Sequence, residues 1–227
     1  MNLLCFLIVA TAAVASSIKI GQFLKTITYF NGLPNPLAPL QLLFGKRRSK
    51  DMSGAVRAND LLWSGENNVY GLGFGSLDDV VMGGRSESSW NEGKWAGRVT
   101  TENNGGFAGV RSRNFLVDAS GVQGISISLL GDGNTFKFIC RDSEDFNGIA
   151  WSSSFDTVKD RAMDVRVKFS ELIPTKFART VQGAAPFNKK TLRAIQFSLS
   201  KFEYDGGLNS KFTEGPFKLD VKSISFF

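Results

Sequence analysis

From about Trp63 onward, apolar and polar residues alternate in short runs. "ISISLL" places Ile125, Ile127 and Leu129 on one face, and "FKFIC" does the same with Phe136, Phe138 and Cys140. "MDVRVKF" sets Met163, Val165, Val167 and Phe169 against Asp164, Arg166 and Lys168, and "AIQFSLSKF" aligns Ile195, Phe197 and Leu199. A period of two marks strands with one face buried. "PFKLDVKSISFF" begins on Phe217, Leu219 and Val221 but shifts parity to Ile224 and Phe226, which predicts a bulge near Lys222-Ser223. No stretch past residue 60 carries a long 3.6-residue period. With "GDGN", "NNGG" and "DGGLN" as turns, the pattern predicts an all-β fold, an antiparallel β-sandwich.

The first residues follow another pattern. Leu3 to Ala15 is an unbroken apolar or small run ending in Ala13-Val14-Ala15. It falls short of the roughly 20 residues that span a bilayer and reads as a signal-peptide-like segment over 1–15. From Ser16 to Lys50 there are lysines and arginines but no acid, with Pro34, Pro36 and Pro39 interrupting. That composition matches a transit peptide, so 16–59 is expected to be a basic leader or linker before a domain at 60–227. Two-step import, as used by algae with secondary plastids, would need both segments. An uncleaved anchor and a plain mitochondrial presequence are the alternatives. "GKRRSK" is no phosphate loop, because Arg47 follows Lys46 where Ser or Thr is required.

Composition narrows the chemistry. The 227 residues are 42% hydrophobic and 21% charged, as in a globular protein. Their 24 Gly and 20 Phe suit turns and pleated surfaces. The net charge of +6 lies in the leader: residues 1–59 hold seven bases and one acid, and residues 60–227 hold twenty of each. A neutral domain has no bulk attraction for phosphate, so no nucleic-acid partner is expected. The sequence contains no histidine, which excludes Ser-His-Asp and Cys-His catalysis and histidine zinc sites. Of the two cysteines, Cys5 lies in the apolar start and Cys140 in a strand-like run, where a buried core thiol is expected. The chain has no N-x-S/T sequon, and organellar residence fits better than secretion.

Several stretches stand outside the strand pattern. "GLGFG" lacks the spacing of a dinucleotide loop and is followed by no helical pattern. In "LDDVVMGGRSESSW", Gly83-Gly84 is expected to form a tight turn that presents Asp78, Asp79 and Ser86 at one end of the sandwich. An acidic pair at a turn is the preferred reading there, and a calcium loop the alternative. "ENNGGF", Glu102 to Phe107, reads as a hairpin turn. Nothing points to paired catalytic carboxylates. In "KFEYDGGLNSKFTEGPF" a strand runs into a polar, glycine-rich loop. There Tyr204 is either a contact patch for a partner or a ring packed on its own sandwich.

Taken in order, "LDDVVMGGRSES", "WAGRVTTENNGGFAGVRS", "GISISLLGDGNTFKF", "FSELIPTKFARTVQGAAPF" and "SKFEYDGGLNSKFTEGPFKLD" resemble the complex I intermediate-associated protein family from Leu61 to Phe227. The resemblance implies a galactose-binding-like jelly roll and a non-catalytic assembly factor. Mitochondrial members of that family act as chaperones for intermediates of NADH:ubiquinone oxidoreductase. Plastid members support photosystem II biogenesis, there joined to a short-chain-dehydrogenase-like domain that this sequence does not show. The wording of "LDDVV", "ARTV", "AAPF" and "SKFEYDG" is closer to the plastid branch. The signature positions matched are Asp78, Asp79, Met82, Gly83, Gly84 and Ser86, then Asn104, Gly105, Gly106 and Phe107, then Pro174, Arg179, Glu203, Tyr204 and Asp205. They become candidate partner-binding residues. The implied partners are protein subunits of a membrane electron-transfer complex and other assembly factors, with peripheral membrane association compatible. No catalytic residue, cofactor or metal is expected. The rival reading is a carbohydrate-binding module in the secretory pathway.

Overall fold

The computed structural model describes residues 54–177 and 179–227, with the backbone alone at Val81 and Met82. The expected signal-like segment and most of the expected basic leader, residues 1–53, lie outside the described residues. The strands are β1 (Leu61–Ser64), β2 (Phe74–Ser76), β3 (Glu87–Asn91), β4 (Lys94–Val99), β5 (Phe107–Ser112), β6 (Gly124–Leu130) and β7 (Thr135–Arg141). They continue with β8 (Ala150–Asp156), β9 (Ala162–Lys168), β10 (Ile173–Lys176), β11 (Arg179–Thr180), β12 (Ala194–Ser200) and β13 (Gly215–Phe226). Among the described residues, only short 3-10 turns interrupt them.

Two sheets form. One runs β3-β4-β13-β6-β9, with β1 also paired to β13, and the other runs β11-β10-β8-β7-β12-β5-β2. Every pairing between these strands is antiparallel. The expected all-β, antiparallel sandwich is therefore the observed fold.

Long β13 shows how the alternation builds this frame. Its first half pairs with β4 and its second half with β1 along the same edge, while β6 lies along the other. The register against β6 slips between Val221 and Ser223, which is the expected bulge. The slip returns Ile224 and Phe226 to the interior after Phe217, Leu219 and Val221. Where the edge passes from β4 to β1, the β3–β4 turn leans on β13, and Val221 N–H donates to Gly93 O at 2.8 Å. A Cβ on Gly93 would stand 2.3 Å from Val221 O.

Inward residues of both sheets make one core. Trp95 meets Phe136 and Phe217 edge-on, Trp90 stacks on Phe74 with centroids 4.2 Å apart, and Phe138 meets Phe197 at 5.2 Å. Burying each phenylalanine contributes about 1.5–3 kcal/mol. Cys140 is enclosed there, and burial pushes its thiol well above the usual range, so it stays an inert thiol.

The structure corrects the hairpin expected at Glu102–Phe107. Strands β4 and β5 belong to different sheets, and Glu102–Asn104 forms a 3-10 turn that carries the chain across the sandwich. Asn103 and Asn104 do adopt positive φ, 55° and 60°, but they turn a corner rather than close a ladder.

A second departure sets up the site. In β7 and β12 both faces are buried, not one. The inner face is aromatic and aliphatic. The outer face carries Lys137, Gln196, Ser198 and, from neighbouring strands, Arg111, Ser152 and Thr175, all buried.

Candidate functional site

Two constellations gather the signature residues. The first surrounds the acidic pair. Asp79 leads a 3-10 turn, Asp79–Met82, closed by Gly83 at φ 93°. Its carboxylate turns inward: Oδ1 accepts Ser86 N–H at 2.9 Å, and Oδ2 accepts Ser86 Oγ–H at 2.8 Å, Gly106 N–H at 2.9 Å and Phe107 N–H at 3.2 Å. Asp78 faces the neighbouring strands, with Ser88 N–H at 2.8 Å on Oδ2, and Ser88 Oγ–H at 2.7 Å and Gly109 N–H at 3.1 Å on Oδ1.

These bonds clip the loop before β3 to the start of β5. Gly84 and Gly105 allow it, because a Cβ on either would lie 2.3 Å and 2.6 Å from the Asp79 carboxyl group. The expectation that this turn presents Asp78, Asp79 and Ser86 outward is corrected. Asp78 is 3% exposed and Asp79 5%, and Ser86 is buried. The reason is stoichiometric: backbone N–H groups converging without carbonyl partners are satisfied by an internal carboxylate. Burial pushes Asp78 up to about 6, its three hydrogen bonds pulling back and the neighbouring Asp79 charge adding a little. A calcium loop does not fit, since N–H and O–H donors ring these oxygens. Among the described residues, no group of three or more acidic or thiol side chains gathers as a metal would require.

The second constellation is a cleft of about 220 Å³ on the outer face of the seven-stranded sheet. Its floor comes from β7 and β12, and its walls from Leu77 and Phe107 on one side and the β10–β11 turn and the loop after β12 on the other. The acidic clip thus fixes one wall, for Asp79 holds Phe107 N–H and Leu77 N–H donates to Gly109 O at 2.8 Å.

On the opposite wall, Lys137 Nζ donates to Phe202 O at 2.8 Å and to Glu203 O, and sits 4.7 Å from the centre of the Tyr204 ring. Ser154 Oγ–H donates to Glu203 Oε2 at 2.5 Å and lies 3.1 Å from the Tyr204 hydroxyl. The Tyr204 ring packs on its own sandwich through Lys137 and Ser154 and stays half-buried at the cleft. Asp205 accepts Thr180 N–H at 2.7 Å and Thr180 Oγ–H at 2.6 Å, tying the loop to β11. Pro174 O accepts Val181 N–H at 2.9 Å in the same hairpin, and Arg179 stays exposed beside Asp205.

Burial holds Lys137 and Arg141 below their usual ranges, nearby Glu203 and Asp145 respectively opposing the shift. Arg111 is pushed down to about 9 by burial and then by the adjacent Arg141 charge.

The signature residues therefore divide. Asp78, Asp79, Gly84, Ser86, Gly105, Gly106 and Phe107 meet around one carboxylate pair, with Gly83 turning the loop and Asn104 O accepting Lys201 Nζ–H at 3.3 Å. Glu203 and Tyr204 line the far wall of the cleft, and Pro174, Arg179 and Asp205 belong to the hairpin and loop that carry that wall. Met82's side chain lies outside the described part. Sequence reasoning missed the cleft floor, Lys137, Arg141 and Gln196, because alternate positions in a strand read as solvent-facing. The one signal available was a glutamine and a lysine inside runs otherwise rich in phenylalanine.

Comparisons with known proteins agree with this fold. The profile of the family described as Complex I intermediate-associated protein 30 (CIA30) matches residues 68–221, well over half of the chain. Among solved structures, a family 11 carbohydrate-binding module of a cellulosomal cellulase from Clostridium thermocellum superposes with TM-score 0.50 at 16% identity. That match covers 75% of this chain and 95% of the module, a likeness in fold alone. An agarase, AgWH50C, gives TM-score 0.47 at 8% identity over 74% of this chain, which spans 24% of the agarase. The module TmCBM61, solved with β-1,4-galactotriose, gives TM-score 0.37 at 10% identity over 76% of this chain and 99% of the module. Neither of these two scores bears on function. No curated protein matches.

Proposed function

The chain belongs to the complex I intermediate-associated protein 30 family, and from that premise we propose that it is a non-enzymatic assembly factor. It would bind intermediates of a membrane electron-transfer complex, NADH dehydrogenase or photosystem II, and shield their unfinished surfaces as a chaperone. The family match over residues 68–221 carries this reading. The chemistry of the domain supports it. The sequence has no histidine, Cys140 is buried, and the acidic pair is committed to internal N–H groups.

Recognition falls to exposed side chains, of which Leu208, 75% exposed, and Phe202 stand on the loop after β12 and bridge each other across it. Pro174, Arg179, Glu203 and Asp205 would hold that loop in place. The domain would be 60–227, delivered by a signal-like segment over 1–15 and a basic leader over 16–59. The basic leader supports an organellar address, with the plastid by two-step import favoured and the mitochondrion second.

Gene deletion with quantification of both complexes tests the function. Accumulated subcomplexes of one client are expected, and normal abundance of both complex I and photosystem II would overturn the proposal. A fluorescent fusion of the full chain is expected in an organelle together with co-purified client subunits. Signal in the secretory lumen would overturn the localisation.

A further inference from the structure

A sheet face that is polar and also buried is costly unless its groups are paired, and the cleft floor is not fully paired. Gln196 is 3% exposed, yet its Oε1 accepts no hydrogen bond. Arg141 Nε–H, also buried at the cleft, donates none, while Arg141 Nη1 is held by Phe146 O at 3.1 Å and Gly148 O at 3.2 Å. At the mouth, Phe177 is 77% exposed with φ 51°, a left-handed conformation that a bulky aromatic adopts only under constraint. Thus the floor lacks one donor and one acceptor, and an aromatic ring stands strained at the entrance.

We infer that this cleft binds a neutral, hydroxyl-rich ring: a hexose unit, free in an oligosaccharide or exposed as a glycolipid headgroup. The donor and acceptor pattern selects that class. A hydroxyl donates to Gln196 Oε1 and also accepts from Arg141 Nε–H, and a pair of vicinal hydroxyls does both at once. An anion would suit Arg141 and Lys176, but Lys137 Nζ is already held by Phe202 O and Glu203 O, and at the floor an anion would meet Gln196 Oε1 and the Glu203 carboxylate, both of which repel it. A purely apolar ligand would leave both floor groups unpaired. Phe177 and Tyr204 supply the apolar faces on which the C–H side of a sugar ring lies, and the volume fits a small ligand rather than a folded partner. This inference stands apart from the assembly role, so either can fail alone.

Calorimetric titration of the full chain with β-1,4-galactotriose, cellotriose and glucuronic acid tests the chemistry. Flotation with galactolipid vesicles and with phosphatidylcholine vesicles separates a headgroup source from a soluble one. Saturable binding of a neutral sugar or of galactolipid vesicles is expected, weakened at least tenfold by Gln196→Ala and by Phe177→Ala. Phe177 is exposed, so its variant folds whatever becomes of Gln196. Because Gln196 Oε1 is unpaired without ligand, Gln196→Leu is expected to raise the melting temperature while abolishing binding, an outcome that a merely structural glutamine would not produce. No binding of any neutral probe, stronger binding of glucuronic acid than of the neutral sugars, or binding indifferent to both alanine variants would overturn the inference.

Discussion

Replacing Asp79 with alanine removes the acceptor of four hydrogen bonds, three of them from backbone N–H groups of Ser86, Gly106 and Phe107. The site is buried, so these donors lose their partner without gaining bulk water. Each unsatisfied buried donor costs about 1–3 kcal/mol. A water entering the vacated space recovers part of that, which leaves an expected loss of about 3–5 kcal/mol. With a urea slope of about 2 kcal/mol/M for a domain of this size, the midpoint falls by about 2 M. Asp79→Asn should cost less, about 1–2 kcal/mol, because one amide oxygen can serve the three donors now on Oδ2 while only Ser86 N–H faces the new amide. Gly84→Ala places a Cβ 2.3 Å from Asp79 Cγ and is expected to cost about 1–3 kcal/mol in the native background. In the Asp79→Ala background that cost should nearly vanish, since the colliding group is gone. Urea unfolding followed by tryptophan fluorescence on the four chains of this cycle measures the coupling. A loss below about 1 kcal/mol for Asp79→Ala, or additivity of the pair within about 0.5 kcal/mol, would refute the clip.

Asp78 gives a pH signature: its native proton is held to about 6 while the unfolded chain releases it near 3.8, so stability falls as pH rises through that window, by about 3 kcal/mol in all. Asp156, Asp205 and Glu214, whose values are lowered, act in the opposite sense, and their contribution is lost as pH falls through the ordinary carboxylate range, at the foot of that window and below it. Urea midpoints at pH 4.5, 5.5 and 7 should show the decline in the native chain and lose it in Asp78→Asn. Gly93→Ala meets both a φ of 92° and Val221 O at 2.3 Å, so calorimetry should show a loss of about 2–3 kcal/mol. Arg85→Ala removes only an ion pair whose side chains are 51% and 58% exposed, and should shift stability by less than about 0.5 kcal/mol in the same assay.

Alternation along the chain was enough to determine strands β6, β7, β9, β12 and β13, the antiparallel sandwich and even the slip at Val221–Ser223, because a period of two reports that successive residues lie on opposite sides of a pleat. The sequence also determined the family, since its signature phrases are contiguous. What the tertiary structure alone decided is where those phrases point. Asp79 looks like a loop acid until Gly106 and Phe107, more than twenty residues away, bring their N–H groups to it. "ENNGGF" has the residues of a hairpin, yet it crosses between sheets because β4 and β5 pair with different neighbours. Lys137 and Gln196 occupy positions that the period assigns to solvent. The Tyr204 ring lies over Lys137, and Phe146 and Phe177 come from two further segments to line the same cleft. A local period describes one strand's two faces, but it holds no information about what will later cover the outer one.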